Sequence, residues 1–380
     1  MRKSYKYRIY PSKTSQQILN NQLELCRQLY NAALEQRISA YKSVNKRNIF
    51  YYDQQNELPD LKDAFPEYKE VFSQSLLGVL KTLDTAYQNF FRRVKAGQTP
   101  GFPRFKGKDR FSSIIFPQYP YGCQIKKGKL YISKVGLINI KLHRPIEGKP
   151  KTVTIKKAFS GKWYVIFSCD DVPIKPLPKT DVVCGIDLGI MSFAVTSANE
   201  VIENPKFFKK SEDLLAKRQQ KLSRAKRGSN NRTKQRILVA KAYEKINSQR
   251  RDFHFKLAND LLKKYDTIFV EDLNIIKMMQ SHFAKNIADC SWNNFITILQ
   301  QKAEEAVVKE IIKVNPKNTS QICSGCGHFV SKNLSDRVHS CPNCNLVIDR
   351  DLNASLNVLR AGLALLADSH RAKETVKLNL

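Results

Sequence analysis

The sequence predicts a multidomain α+β protein: a small β unit interrupted by helices, then an α/β domain that carries an inserted zinc ribbon. Three observations predict it. Short alternating runs such as KLYISKV and KWYVIFS, separated by glycine turns, fill residues 112–169 and have the texture of a small β-barrel or sandwich. From Val182 the pattern becomes three strands, helix, strand, helix, strand, helix, an α/β order. Two CxxC turns, Cys323/Cys326 and Cys341/Cys344 with residues 327–340 between them, have two-knuckle zinc spacing. Four thiolates satisfy a tetrahedral zinc ion with no open position, so the expected zinc is structural.

The chain of 380 residues is long enough for two or three domains with real cores. Lys and Arg number 65 against 34 Asp and Glu, a formal charge of +31, so the surface wants a polyanion. No apolar run approaches a bilayer span, and basic residues interleave with aromatics throughout, which favours nucleic acid over membrane. MRKSYKYRIYP has no apolar core and does not read as a signal peptide, so the expected compartment is the cytoplasm. Cys26, Cys123, Cys169, Cys184 and Cys290 lack paired spacing and fit buried thiols in a reducing cell, which argues against disulfides in the ribbon.

In chain order, Lys3 to Tyr10 alternates Tyr5, Tyr7 and Ile9 with Lys6 and Arg8, a half-buried strand closed by Pro11. Apolar residues at helical spacing predict a helix from about Thr14 to Lys42 and a second from about Tyr68 to Val94, whose core side includes Phe90 and Phe91. Gly97 to Phe111 has glycine, proline and basic–aromatic alternation without helical period, a loop suited to phosphate. The first strand shares the texture of the later β runs, so it is expected to join them with the helices as an insertion. IKPLPK, Ile174 to Lys179, reads as a linker.

In the second half, VVCGID, FAVTSA and a weaker strand near Val201 form a meander. A highly basic helix pair spans roughly Glu212 to Lys264, broken at Gly228 to Asn231. TIFVEDL is a buried strand, Trp292 to Val308 an amphipathic helix, IIKVN another strand, and Leu352 to Leu366 the last helix. Ala367 to Leu380 is polar and mixed and receives no structure. This order is that of the ribonuclease H-like fold, in which the first strand, the fourth strand and the last helix converge at one end of the sheet.

Each of those elements carries a carboxylate: Asp187 in GIDLGI, Glu271 closing TIFVE, and Asp351 in DRDLNA. Three converging carboxylates resist ionising together unless a cation neutralises them, and hard oxygen ligands select magnesium or manganese. Two such ions can activate water and stabilise the leaving oxygen of a phosphodiester, which makes a nuclease. Taken singly, Asp187 could be a strand-end turn residue, and GIDLGI also opens the actin-like ATPases. Asp272 should face away from Glu271. Asp349 competes with Asp351 for the inward position; Asp351 is favoured, with Asp349 and Arg350 as hinge or phosphate contacts. Gly185 and Gly189 are expected to let a nucleic-acid backbone approach.

YKYRIYPS, CRQLYN, PRFKGK, GIDLGI, FVEDLNI, NTSQICSGCGH and CPNCNLVIDRDLNASLNVL together resemble the TnpB family of transposon-encoded RNA-guided DNA endonucleases, relatives of the type V CRISPR effectors. The resemblance covers nearly the whole chain; Asn345 stands where the family often has Gly. It implies a β-barrel wedge domain (1–12 and 97–178) with an inserted helical recognition lobe (13–96) and a RuvC-like nuclease domain (179–317 and 346–368). A zinc-ribbon target-nucleic-acid-binding insertion (318–345) and a polar tail (369–380) complete it. It also implies a guide RNA, double-stranded target DNA cut beside a short flanking motif, and one chain with one RNA in a prokaryotic cytoplasm or nucleoid.

Candidate nucleic-acid contacts are Tyr5, Lys6 and Arg8 of the first strand, Arg104, Phe105 and Lys106 of the loop, Lys217, Arg218, Lys221, Arg224 and Arg227 of the basic helices, and Arg350. His254 reads as a satisfied helix histidine, His328 and His339 as ribbon-loop residues, and Trp163 and Trp292 as core. Rival functions are a cleavage-deficient guide-directed repressor, disfavoured by three intact acids, and an RNA-independent transposase or resolvase, which needs no helical lobe.

Overall fold

In the computed structural model the chain divides into two compact units, Met1–Pro173 and Ile174–Leu380. The structure describes residues 1–378 except 45, 109 and 334, with side chains described to 368.

The first unit begins with β1 (Lys3–Tyr10), in which Tyr5, Tyr7 and Ile9 are buried and Lys6 and Arg8 face out, as period-two alternation demands. The helix α1 (Lys13–Lys42) is capped by Ser12, whose hydroxyl accepts from Ser15 N at 3.1 Å. Two short helices unforeseen in the sequence follow, α2 (Tyr51–Asn56) and α3 (Leu58–Ala64), and then a 3₁₀ turn, Pro66–Glu70. Only at Ser73 does α4 (Ser73–Lys95) begin, because Val71 is extended and ends the 3₁₀ turn, so the expected start at Tyr68 is corrected. Phe91 is also corrected: it is 58% exposed rather than core, while Leu76, Val79, Leu80 and Leu83 pack against α1.

Six further strands are β2 (Ser113–Phe116), β3 (Cys123–Lys126), β4 (Lys129–Ile132), β5 (Gly136–Lys141), β6 (Lys149–Lys157) and β7 (Trp163–Asp170). They form an antiparallel sheet in the order β2-β6-β7-β1-β5-β4-β3, with β1 between β7 and β5, so the helices lie between β1 and β2 in the chain. The end strands β2 and β3 are not paired with each other, so the sheet stops short of a closed barrel. Lys127 and Gly128, both at positive φ, make the tight β3–β4 turn.

The second unit centres on β8 (Val183–Asp187), β9 (Ser192–Thr196), β10 (Val201–Glu203), β11 (Thr267–Glu271) and β12 (Glu310–Val314). Their order is β10-β9-β8-β11-β12; β8 to β10 are antiparallel, and β11 runs parallel to β8 and β12. That is the strand order and direction of the ribonuclease H-like arrangement. A hairpin of α5 (Phe207–Arg224) and α6 (Asn230–Lys264) follows β10, and α9 (Trp292–Ala306) precedes β12. Two short helices the sequence reading omits, α7 (Ile275–Met278) and α8 (Ala284–Cys290), fill the gap before α9.

The cysteine segment contributes β13 (Val338–Ser340) and β14 (Val347–Asp349), an antiparallel pair, before α10 (Arg350–Leu378). The helix thus runs past the expected end at Leu366: after Gly362 no glycine or proline breaks the pattern. Residues 379 and 380 of the expected tail lie outside the described residues. No helix among the described residues is long and apolar enough to cross a membrane.

Glycine has a packing reason at two places. A Cβ on Gly185 would lie 2.3 Å from Ser355 O and 2.5 Å from Leu359 N, and one on Gly362 would meet the Phe269 ring at 2.1 Å. The backbone that approaches Gly185 is therefore that of α10, which corrects the expectation of nucleic acid there. At Gly189 the near neighbour is likewise protein, Ser192 O at 2.9 Å.

Candidate active site

Parallel pairing of β8 and β11 puts Ile186 opposite Val270, so the next residues, Asp187 and Glu271, end side by side at one edge of the sheet. Close packing of α10 on β8 through Gly185 brings the first turn of α10, with Asp351, to the same edge. Asp187, Glu271 and Asp351 line one cleft of about 650 Å³, together with Thr319, Arg337 and Arg350. Burial, and then the charges of Glu271 and Asp351, push the Asp187 carboxyl well up, against a smaller pull from Arg350. Burial also raises Glu271, opposed by a hydrogen bond from Thr319, and raises Asp351, helped by Asp349 and opposed by Arg337 and Arg350. The cleft thus disfavours three bare charges, the condition a bound cation relieves.

Asp349 has a different task. Its Oδ1 accepts from Asp351 N at 2.8 Å and from Leu352 N at 3.1 Å, capping α10, while Asp351 faces the cleft. Asp272 points away from Glu271 and pairs with Lys313 Nζ at 2.9 Å. Arg350 Nη1 donates to Asn333 O at 3.1 Å and Asp336 O at 3.2 Å, so its guanidinium is partly engaged in the ribbon loop.

Cys323, Cys326, Cys341 and Cys344 have all four Sγ atoms within 4.8 Å of one another. Cys323–Cys344 and Cys326–Cys341 are each 3.6 Å apart. A tetrahedron of thiolates about 2.3 Å from zinc has edges of roughly 3.8 Å, so the cluster could hold zinc. Among the described residues this is the one group of three or more His, Cys, Asp or Glu side chains close enough to share a metal ion. Asn345 adopts φ 56°, the left-handed conformation that Asn tolerates. His328 is exposed, whereas His339 is buried in β13 with Nδ1 against Lys332 Nζ.

Three polar residues that no sequence motif marks join ribbon and cleft. Thr319 Oγ1 donates to Glu271 Oε1 at 2.5 Å. Asn353 accepts from Ser324 N at 2.9 Å and donates to Ile322 O at 2.8 Å. Asn357, one turn further along α10, donates to Thr319 O at 2.8 Å and Ile322 O at 2.6 Å. The i, i+4 spacing of the asparagines was the only signal, visible once both are placed on one helix. Arg337, 4.0 Å from Asp351 Oδ2, carried no signal at all.

The candidate nucleic-acid contacts differ in exposure. Tyr5 is 2% exposed, with its hydroxyl donating to Glu147 Oε2 at 3.3 Å, so strand alternation removes its ring from any ligand and that expectation is corrected. Lys6 and Arg8 lie outward, over the Tyr164 ring at 4.0 and 5.3 Å. Arg104 and Phe105 are exposed. The Lys106 backbone is clamped by Asn31, donating at 3.0 Å and accepting at 2.8 Å, and by Arg27 at 3.0 Å, so CRQLYN holds PRFKGK in place. Lys217, Lys221, Arg224 and Arg227 are exposed, whereas Arg218 Nη1 donates to Leu238 O at 2.9 Å and fastens α5 to α6. Trp163, Trp292 and His254 are buried, and burial pushes the imidazole down to about 4.

Residues 166–282 match a family described as "Probable transposase", residues 292–358 a Cas12f1-like TNB domain, and residues 1–47 a helix-turn-helix domain. In the structure that last stretch holds one strand and one long helix. A Streptomyces pristinaespiralis protein assigned by name as an RNA-guided DNA endonuclease is 32% identical over 96% of this chain and 90% of its own. InsQ of Escherichia coli K12, assigned the same name, is 28% identical over 96% and 93%. The solved structure of a Cas12f1–sgRNA–target DNA complex aligns with TM-score 0.58 and 17% identity over 94% of this chain and 98% of that one, a likeness of fold.

Proposed function

The chain belongs to the TnpB family of RuvC-like nucleases, and on that premise we propose that it is a transposon-encoded, RNA-guided DNA endonuclease that hydrolyses target DNA beside a short flanking motif. The observation that carries the reading is the shared edge of β8, β11 and α10, where Asp187, Glu271 and Asp351 face one cleft. Oxygen donors with raised proton affinity fit a hard divalent cation, magnesium or manganese. Such ions, held by the three acids, would supply an activated water and charge stabilisation for the leaving oxygen. Asp187 feels the charges of both Glu271 and Asp351 and so gains from neutralisation. Arg337 at the rim offers a cation to a scissile-strand phosphate. Zinc held by the four cysteines would be structural.

The partners are a guide RNA and double-stranded DNA, one chain to one RNA, which suits a charge of +31. In this reading the near-barrel acts as wedge (1–12 and 97–178), the helices as recognition lobe (13–96), residues 179–317 and 346–368 as nuclease, and the ribbon (318–345) as target-binding insertion. Purification from cells carrying the native locus tests the reading. A discrete co-purifying RNA is expected, and RNA-programmed cutting that Asp187→Ala reduces by more than about 10³-fold while guided DNA binding persists. Absence of any discrete RNA would sink it.

A further inference from the structure

We infer that Thr319 is a positioning residue for Glu271, and that through it the cysteine ribbon sets the cation affinity of the acidic cleft. The inference rests on the reading of Asp187, Glu271 and Asp351 as a cation site. Glu271 is 6% exposed, and the hydrogen bond that satisfies it comes from Thr319 Oγ1 at 2.5 Å. The same hydroxyl lies 3.2 Å from Pro316 O, but it has one proton, and a charged acceptor at the shorter distance takes it. With Oε1 fixed, the carboxylate is held in one orientation and Oε2 is left for a cation.

Thr319 is itself held by α10. Its carbonyl accepts from Asn357 of α10, the helix whose first turn presents Asp351, and Asn357 and Asn353 also grip Ile322 and Ser324 beside Cys323. One short segment, residues 319–324, therefore contacts a carboxylate on β11, the helix bearing a second carboxylate, and the first cysteine knuckle. Loss of the knuckle frees that segment and withdraws the donor from Glu271, leaving a buried carboxylate without a partner and a weaker cation site. By thermodynamic linkage a cation in the cleft in turn steadies the ribbon.

The test measures Mn²⁺ binding by electron paramagnetic resonance on the full-length chain as purified, with Asp187→Ala as reference for ions bound elsewhere. Thr319→Val should weaken the Asp187-dependent binding by about 10–100-fold, with Thr319→Ser within about twofold of wild type. Zinc content near one per chain in each variant shows that the ribbon is intact. If Thr319→Val does not fold, Thr319→Ala against Thr319→Ser isolates the hydroxyl, with the same loss expected for alanine. Equal Mn²⁺ binding by the serine and aliphatic variants overturns the inference while leaving the acidic site standing. Unchanged binding in Asp187→Ala would instead remove the cation-site reading itself.

Discussion

Burial and the neighbouring Glu271 and Asp351 push the Asp187 carboxyl up, so in the cation-free protein this residue opposes the fold it serves. A carboxyl whose folded value is raised takes up protons more readily folded than unfolded, so that stability is present at low pH and is lost as pH rises through the raised value. Asp187→Asn removes that titration. In magnesium-free buffer it should melt above wild type at pH 8, with the gap closing toward pH 4; a gap independent of pH would show that Asp187 is not the strained group. Gly185 makes the complementary case. A methyl group 2.3 Å from Ser355 O cannot be accommodated without moving α10, so Gly185→Ala should cost at least about 2 kcal/mol in thermal or denaturant unfolding. Both residues stand in GIDLGI, where the sequence showed an acid at a strand end but gave no hint that the glycine faces a helix 170 residues later in the chain, at Ser355.

Within the second unit, α10 packs against β8, β9, β11, β12, β13 and β14. Its first turn holds Asp351, Asp349 caps it, Asn353 and Asn357 bind the ribbon, and Gly362 seats it on Phe269. If the four cysteines hold zinc as proposed, a ribbon tied so closely to a core helix should depend on that ion. Cys341→Ser is expected to abolish stoichiometric zinc and to lower the unfolding temperature, with a zinc chelator adding nothing further; unchanged melting would mean that the ribbon folds without metal. The elements with clear periodicity, β1, α1 and α9, were legible in the sequence, and α6 was legible from its basic composition and the break at Gly228 to Asn231. The short α2, α3, α7 and α8 were not, because helices of four to seven residues hold too few turns to show a period and are stabilised by tertiary contacts such as Gln54 with Arg37 and Ala33.

For the whole molecule, the division at Pro173/Ile174 falls beside IKPLPK, and the two units have separate cores. A protease recognition sequence inserted after Pro176, once cut, should leave two fragments that each unfold cooperatively in calorimetry; collapse of either would show that it needs the other. On the proposed function, the charge of +31 predicts an RNA affinity that falls steeply with salt. Replacing the exposed Lys217, Lys221, Arg224 and Arg227 by Gln should reduce the slope of log K against log salt by roughly 3. An unchanged slope would leave this hairpin a solvated face.

The sequence by itself determined the order of the long helices and of the strands of the second unit, the four-cysteine spacing, the positive charge and the identity of three acids on the first strand, fourth strand and last helix, since each is written in local pattern or composition. Only the tertiary structure decided which neighbours those residues acquire. Strand register buried Tyr5, β8–β11 pairing set Asp187 beside Glu271, and α10 packing turned Asp351 inward and left Asp349 as cap. Thr319 could be assigned to Glu271 only in the folded chain, because that contact spans 48 residues and a hydrogen bond between distant polar groups leaves no periodic trace in the sequence.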